Sequence, residues 1–80
     1  MGIRKLVADR ILILCSERNL SFHALARLSA VPPSTLKNII SGVSANPGIV
    51  TLKKICDGLD ISIAAFFDTE EFRALEQEIQ

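Results

Sequence analysis

The stretch Phe22-His23-Ala24-Leu25-Ala26-Arg27-Leu28-Ser29-Ala30-Val31-Pro32-Pro33-Ser34-Thr35-Leu36-Lys37-Asn38-Ile39-Ile40-Ser41 decides how this chain folds. Just before it, Ser21 is a side chain suited to capping orphan helix amides, and Leu20 stands at hydrophobic-staple spacing from Leu25. A short helix is therefore expected from Ser21 to about Ser29. Pro32-Pro33 cannot lie inside a helix, but Pro33 suits the first position of a new one. That next helix runs from Pro33 to Ser41, turns Leu36, Ile39 and Ile40 inward, and stops at Gly42. Where the two helices cross, Ala26 has to be small. Leu25, Val31, Leu36 and Ile39 have to be apolar to hold the pair as one unit. Ala30 occupies the turn, and a left-handed conformation there costs an alanine on the order of 1 kcal/mol.

Upstream, Ile3, Val7, Ile11 and Leu14 recur at helical spacing and predict a first helix from about Ile3 to Arg18. Leu6 and Ile13 form a second apolar stripe on the same helix, which predicts two packing partners. Asn19 ends it in place of the usual glycine. Downstream, Val43 to Gly48 is a polar loop containing Pro47. A fourth helix is expected from about Ile49, with Ile49, Leu52, Ile55, Cys56 and Leu59 as its apolar positions. Ser62 caps a brief fifth helix ending in Phe66-Phe67. Asp68 and Glu71 then show capping-box spacing and Phe67 and Phe72 staple spacing, which predicts a sixth helix with Phe72, Leu75 and Ile79 along one face. There is no sustained period-two alternation, so strands are not expected and the fold class is all-α. Eighty residues form a single domain with one modest core.

A hydrophobic fraction of 49% fits a packed globule rather than a disordered chain. No apolar run approaches the roughly 20 residues of a membrane span, and Met1-Gly2-Ile3-Arg4-Lys5 does not begin a signal peptide. No membrane association is expected, and the location implied is cytoplasmic. Cys15 and Cys56 stand far apart, outside any CxxC or Cys/His cluster, and read as small buried hydrophobes. His23 has no second histidine or neighbouring carboxylate, so neither metal binding nor acid–base catalysis has a partner residue. No nucleophile–base pair or phosphate-cradling glycine loop can be assembled. An enzyme, a cofactor, a metal and a small-molecule ligand are all unexpected. The net charge is zero, yet it is unevenly placed. Up to Lys54, Arg4, Lys5, Arg10, Arg18, Arg27, Lys37, Lys53 and Lys54 face only Asp9 and Glu17; beyond it, Arg73 faces Asp57, Asp60, Asp68, Glu70, Glu71, Glu76 and Glu78. Such a dipolar chain can offer a basic face to phosphate while its tail stays acidic.

Two short helices joined by a tight turn and packed at these offsets describe a helix–turn–helix. Leu25-Ala26, Ala30-Val31, Ser34-Thr35-Leu36, Ile39 and Gly42 fall where Cro/CI-type (XRE, lambda-repressor-like) domains carry their hallmarks. The resemblance continues through Asn46-Pro47, Thr51-Leu52-Lys53-Lys54-Ile55 and Leu59-Asp60-Ile61-Ser62 to Phe66-Phe67, from about Arg10 to Asp68. It implies a five-helix lambda-repressor-like DNA-binding domain over residues 1–68, with the helix–turn–helix at 22–41. Residues 69–80 then form an added C-terminal amphipathic helix that packs on the first helix or makes a dimer contact. Members are typically transcriptional regulators of bacteria, phages and mobile elements, commonly dimeric. The implied partner is therefore double-stranded DNA and the implied assembly a homodimer.

The family's base-reading positions map onto Pro33, Ser34, Lys37 and Asn38. By chemistry, Asn38 can pair bidentately with adenine and Lys37 can reach guanine or phosphate. Ser34 is placed for a phosphate or a single base contact near the positive helix start, and Pro33 for a thymine methyl. The positions for phosphate contact are Ser21, Phe22, Arg27, Thr35, Ser41 and Asn46. Phe22 stands where many members carry glutamine, and Val43-Ser44-Ala45-Asn46 lacks the lysine or arginine common after the glycine. With few cations, affinity should fall only shallowly with salt, by about 0.9 log units per phosphate neutralised. Cys15 and Ile40 replace a frequent Arg–Glu pair, a change that need not weaken a fold. The function implied is a stand-alone, sequence-specific repressor. The alternative is a protein-interaction module or antitoxin on the same fold with weak or no DNA binding.

Overall fold

A computed structural model of the chain describes residues 2–42 and 46–79. Six helices follow in order: α1 (Ile3–Glu17), α2 (Phe22–Ser29), α3 (Pro33–Ser41), α4 (Ile49–Gly58), α5 (Ile63–Phe66) and α6 (Glu70–Arg73). Among the described residues there is no strand, and the fold is all-α. Helix α2 packs on α3 and α4, α1 on α3 and α6, and α5 on α4. The expected loop at Val43 to Gly48 falls partly outside the described residues, Val43, Ser44 and Ala45 among them.

One core serves all six helices. Ile11, Leu14, Leu25, Leu36, Ile55, Cys56, Leu59 and Phe66 are fully buried at its centre. The four positions that glue the helix–turn–helix, Leu25, Val31, Leu36 and Ile39, are all buried, as is Ala26. Cys15 and Ile40 are half-buried against the same cluster, so the site of the absent ion pair is filled by apolar contact. Several positions depart from the periodic reading, Ile13 of the second α1 stripe among them at 51% exposed. Ile49 is 76% exposed, because it is the first residue of α4 and projects before the helix reaches the core. Ile3, likewise at a helix start, is also exposed.

Three helices end by the same device. After α1, α2 and α4, a non-glycine residue adopts a left-handed conformation: Asn19 (φ 53°), Ala30 (φ 55°) and Asp60 (φ 57°). In each case the next residue's amide reaches back into the helix: Leu20 to the Cys15 carbonyl at 2.9 Å, Val31 to Ala26 at 3.2 Å, and Ile61 to Cys56 at 3.0 Å. These are Schellman closures, which satisfy orphan carbonyls and deliver an apolar residue to the core. Leu20, Val31 and Ile61 all pack there. Asparagine and aspartate tolerate this backbone through their short polar side chains, whereas alanine has no such compensation. Ala30→Gly is therefore expected to stabilise the domain by about 0.5–1 kcal/mol, raising its Tm by several degrees. Thermal unfolding checks it, and an unchanged or lower Tm would refute the strain at Ala30.

The C-terminal region differs from its expected form. The sixth helix is one turn, Glu70–Arg73, and its cap is Thr69, whose hydroxyl accepts from the Phe72 amide at 3.2 Å. Asp68 pairs instead with Arg73. Phe72 does meet Phe67 edge-on, with ring centroids 4.9 Å apart, and tilts towards Phe66 at 6.3 Å. Beyond Ala74 the chain leaves the helix, so Leu75 and Ile79 do not continue a face with Phe72, and Ile79 is 85% exposed. Four helical residues are too few to sustain a helix once packing stops at Phe72.

Candidate nucleic-acid interface

The interface candidates sit on α3, on α2 and its cap Ser21, and at Asn46 before α4. Pro33 occupies the first turn of α3 and removes one of its orphan donors, while no side chain caps the Ser34 and Thr35 amides that remain. With roughly 100° between successive helical residues, Pro33, Lys37, Ser34 and Asn38 span one continuous arc of α3. Leu36 and Ile39 lie on the opposite side and are buried. Packing thus fixes which way the polar arc faces. Pro33, Ser34, Lys37 and Asn38 are all exposed, and the structure brings them onto one surface. Among the described residues, the side chains of Lys37 and Asn38 make no ion pair or hydrogen bond to the protein. Both are therefore uncommitted donors.

The residues proposed for phosphate contact fare unevenly. Ser21 caps α2, its hydroxyl oxygen accepting from the Ala24 amide at 3.1 Å, and this leaves its own proton to donate outward. Arg27, Thr35 and Asn46 are exposed. Ser41 is exposed too, but its hydroxyl donates to the Asn38 carbonyl at 3.3 Å. Phe22 is half-buried against the core, its ring edge-on to His23 at 5.3 Å. Its side chain packs into the protein, so only its backbone amide remains for a phosphate.

The basic half of the chain is far less available than its composition suggests. Arg10 donates to the carbonyls of Phe66 at 2.8 Å and Ala65 at 3.1 Å, satisfying the end of α5. Arg18 donates to the Leu59 carbonyl at 2.7 Å, satisfying the end of α4. Lys5 pairs with Asp9, and Lys53 with Asp57. Among the described residues, Arg4, Arg27, Lys37 and Lys54 make no ion pair. The roles of Arg10 and Arg18 are structural, and they bridge 56 and 41 positions of sequence, a separation at which no local signal announces them.

The two thiols are free and lie in different surroundings. Burial pushes both upward from the ordinary thiol range, with Arg18 opposing the shift at Cys15 and Lys53 opposing it at Cys56. Both are thus held as thiols, not as the thiolates that react or bind metal. Among the described residues, no group of three His, Cys, Asp or Glu side chains converges, and no helix is long and apolar enough to cross a membrane.

The arrangement has solved and classified counterparts. The crystal structure of the prophage Lp1 protein 11 superposes with a TM-score of 0.81 at 28% identity, covering 92% of this chain and 97% of that one. No curated protein matches. The family model for the Cro/C1-type HTH DNA-binding domain matches residues 10–71, which takes in all of the helix–turn–helix and the core that supports it. This chain belongs to the Cro/C1-type HTH DNA-binding domain family.

Proposed function

We propose that the protein is a sequence-specific transcriptional regulator acting in the cytoplasm, a repressor that occupies its operator as a dimer. The observation that carries this reading is the uncommitted polar arc of α3, aimed outward by the buried Leu25, Val31, Leu36 and Ile39. In it Asn38 reads a base edge, Lys37 a guanine or a phosphate, Ser34 a phosphate or a single base, and Pro33 a thymine methyl. Ser21, Arg27, Thr35, Ser41, Asn46 and the Phe22 amide supply the phosphate contacts. A symmetric dimer reads two half-sites about 34 Å apart.

Selection from a random duplex library at low and moderate salt tests the proposal, and an enriched palindrome is expected. On the selected site, Asn38→Ala should weaken binding by about 1–3 kcal/mol while leaving non-specific binding unchanged. A uniform loss across all sequences would remove Asn38 from the readers.

One observation favours a second reading. Arg10, Arg18, Lys5 and Lys53 are engaged within the protein, which leaves a thin cationic surface for phosphate. A protein-interaction module or antitoxin on the same fold would suit that surface. A library selection that enriches nothing even at low salt would favour it.

A further inference from the structure

Helices α1 and α6 do not close over each other completely. Between them runs an apolar groove of about 250 Å³ whose floor includes Leu6, Ile13 and Phe72. Past Leu6 and Glu71 it opens into a second, more polar depression lined by Ala74, Leu75 and Glu76. Ile13, in the second half of α1, is 51% exposed and lies in one lining with Leu6 and Phe72, so the apolar surface is a contiguous strip rather than one scattered residue. The chain's own tail reaches only the Leu6 end through Leu75 and does not cover Ile13: the helix ends at Arg73, and Ile79 stands in solvent.

The charges around the groove say what fits. Its rim carries Asp9, Glu71 and Glu76. Asp9 is paired with Lys5, and Arg10, which also lines the groove, keeps its charge but directs its donors to the carbonyls of α5, so the unpaired acids Glu71 and Glu76 outnumber the one cation in the lining. Glu71 and Glu76 make no ion pair among the described residues, and Glu70 and Asp68 are matched only by the single Arg73. Two copies joined groove to groove would set Glu71 and Glu76 against their own images, and like charges juxtaposed at an interface oppose association. An apolar floor with an acidic rim is instead complementary to an amphipathic helix whose apolar residues recur at helical spacing and whose flanks are lysine and arginine.

We propose that the α1–α6 groove is a docking site for a cationic amphipathic helix of another protein. The geometry leaves the DNA-reading surface free. Ala8 lines a pocket with Ile40 and Ser41 of α3, and it lies roughly 200° around α1 from Leu6. A partner seated on the groove therefore occupies the side of α1 turned away from α3, and the protein can hold DNA and partner together.

The probe is a labelled 14-residue peptide of leucine and lysine with its leucines at helical spacing, titrated into the full chain by fluorescence anisotropy. A scrambled peptide of identical composition serves as control. The patterned peptide should bind about tenfold or more tightly than the scrambled one, and Ile13→Asp should abolish that margin. Glu71→Gln with Glu76→Gln should weaken binding several-fold and flatten its salt dependence, since charge complementarity is salt-sensitive. These three positions are exposed or at the rim, and far-ultraviolet circular dichroism confirms that the variants fold. Equal binding of the two peptides, or a margin that survives Ile13→Asp, overturns the proposal. Light scattering supplies a further outcome: a dimer that becomes a monomer on Ile13→Asp would assign the groove to a second copy and overturn it as well. Binding of duplex DNA by each variant is measured in parallel and should be unchanged, so failure of the groove and failure of the DNA reading are separately visible.

Discussion

Phe66→Ala is expected to destabilise the protein by about 3–5 kcal/mol, a large part of the total stability of a domain this small. Phe66 is the largest fully buried side chain. It closes the aromatic cluster, with its ring 4.9 Å from Phe67 and 6.3 Å from Phe72, so its removal leaves a cavity that rigid neighbours cannot fill. A second consequence runs through the backbone. The Phe66 carbonyl receives the Arg10 side chain at 2.8 Å, and if α5 shifts into the vacated space that bond is strained and a charged donor loses its acceptor. The loss should appear in urea as a lower midpoint with an unchanged slope, and as a fall in Tm of more than 10 °C. Phe66→Leu, which retains most of the volume, should lose far less. If Phe66→Ala costs under about 1 kcal/mol, the aromatic cluster does not anchor α5 and α6 to the core.

The helix–turn–helix was legible because its constraints are local. Pro32-Pro33 breaks one helix and starts another within two residues, and Leu25, Val31, Leu36 and Ile39 recur at the offsets a helical crossing demands. All four are buried as expected. Ser21 and Ser62 were equally readable as caps, since each bonds an amide three residues on. The tail departs from its expected form for a related reason. Phe72, Leu75 and Ile79 have helical spacing, but periodicity describes a face and not what it packs against: the helix ends at Arg73, Leu75 is only half-buried and Ile79 stands in solvent. Charge was the other blind spot. Composition counts every arginine as available to phosphate, whereas Arg10 and Arg18 are consumed by helix ends distant in sequence. The candidate readers were found as residue types at matching positions; that Lys37 and Asn38 are left uncommitted is a tertiary fact.

Gly58→Val is expected to cost about 3 kcal/mol, at the upper end of overpacking losses. Nothing in the sequence marks Gly58, which lies in the last turn of α4 without a left-handed backbone. Its role is proximity. A Cβ built there would stand 3.0 Å from both the Cβ and the backbone nitrogen of Ser29, and 3.1 Å from its Cα. Two of those three atoms are backbone, so no rotamer change relieves the contact. Ser29 is itself buried and held, its hydroxyl donating to the Leu25 carbonyl at 2.7 Å. Relief requires α2 to shift away from α4, slightly for an added Cβ and further for the branches of valine. Gly58→Ala sharpens the test, because alanine would ordinarily stabilise a helix interior by about 0.5–1 kcal/mol over glycine. A net loss therefore measures the clash against a known gain, and a more stable Gly58→Ala protein would show that α2 yields at no cost. Displacing α2 also tilts α3, which packs on it. DNA affinity should consequently fall in Gly58→Val even under conditions where the protein remains fully folded, tying the placement of the reading helix to one missing side chain on α4.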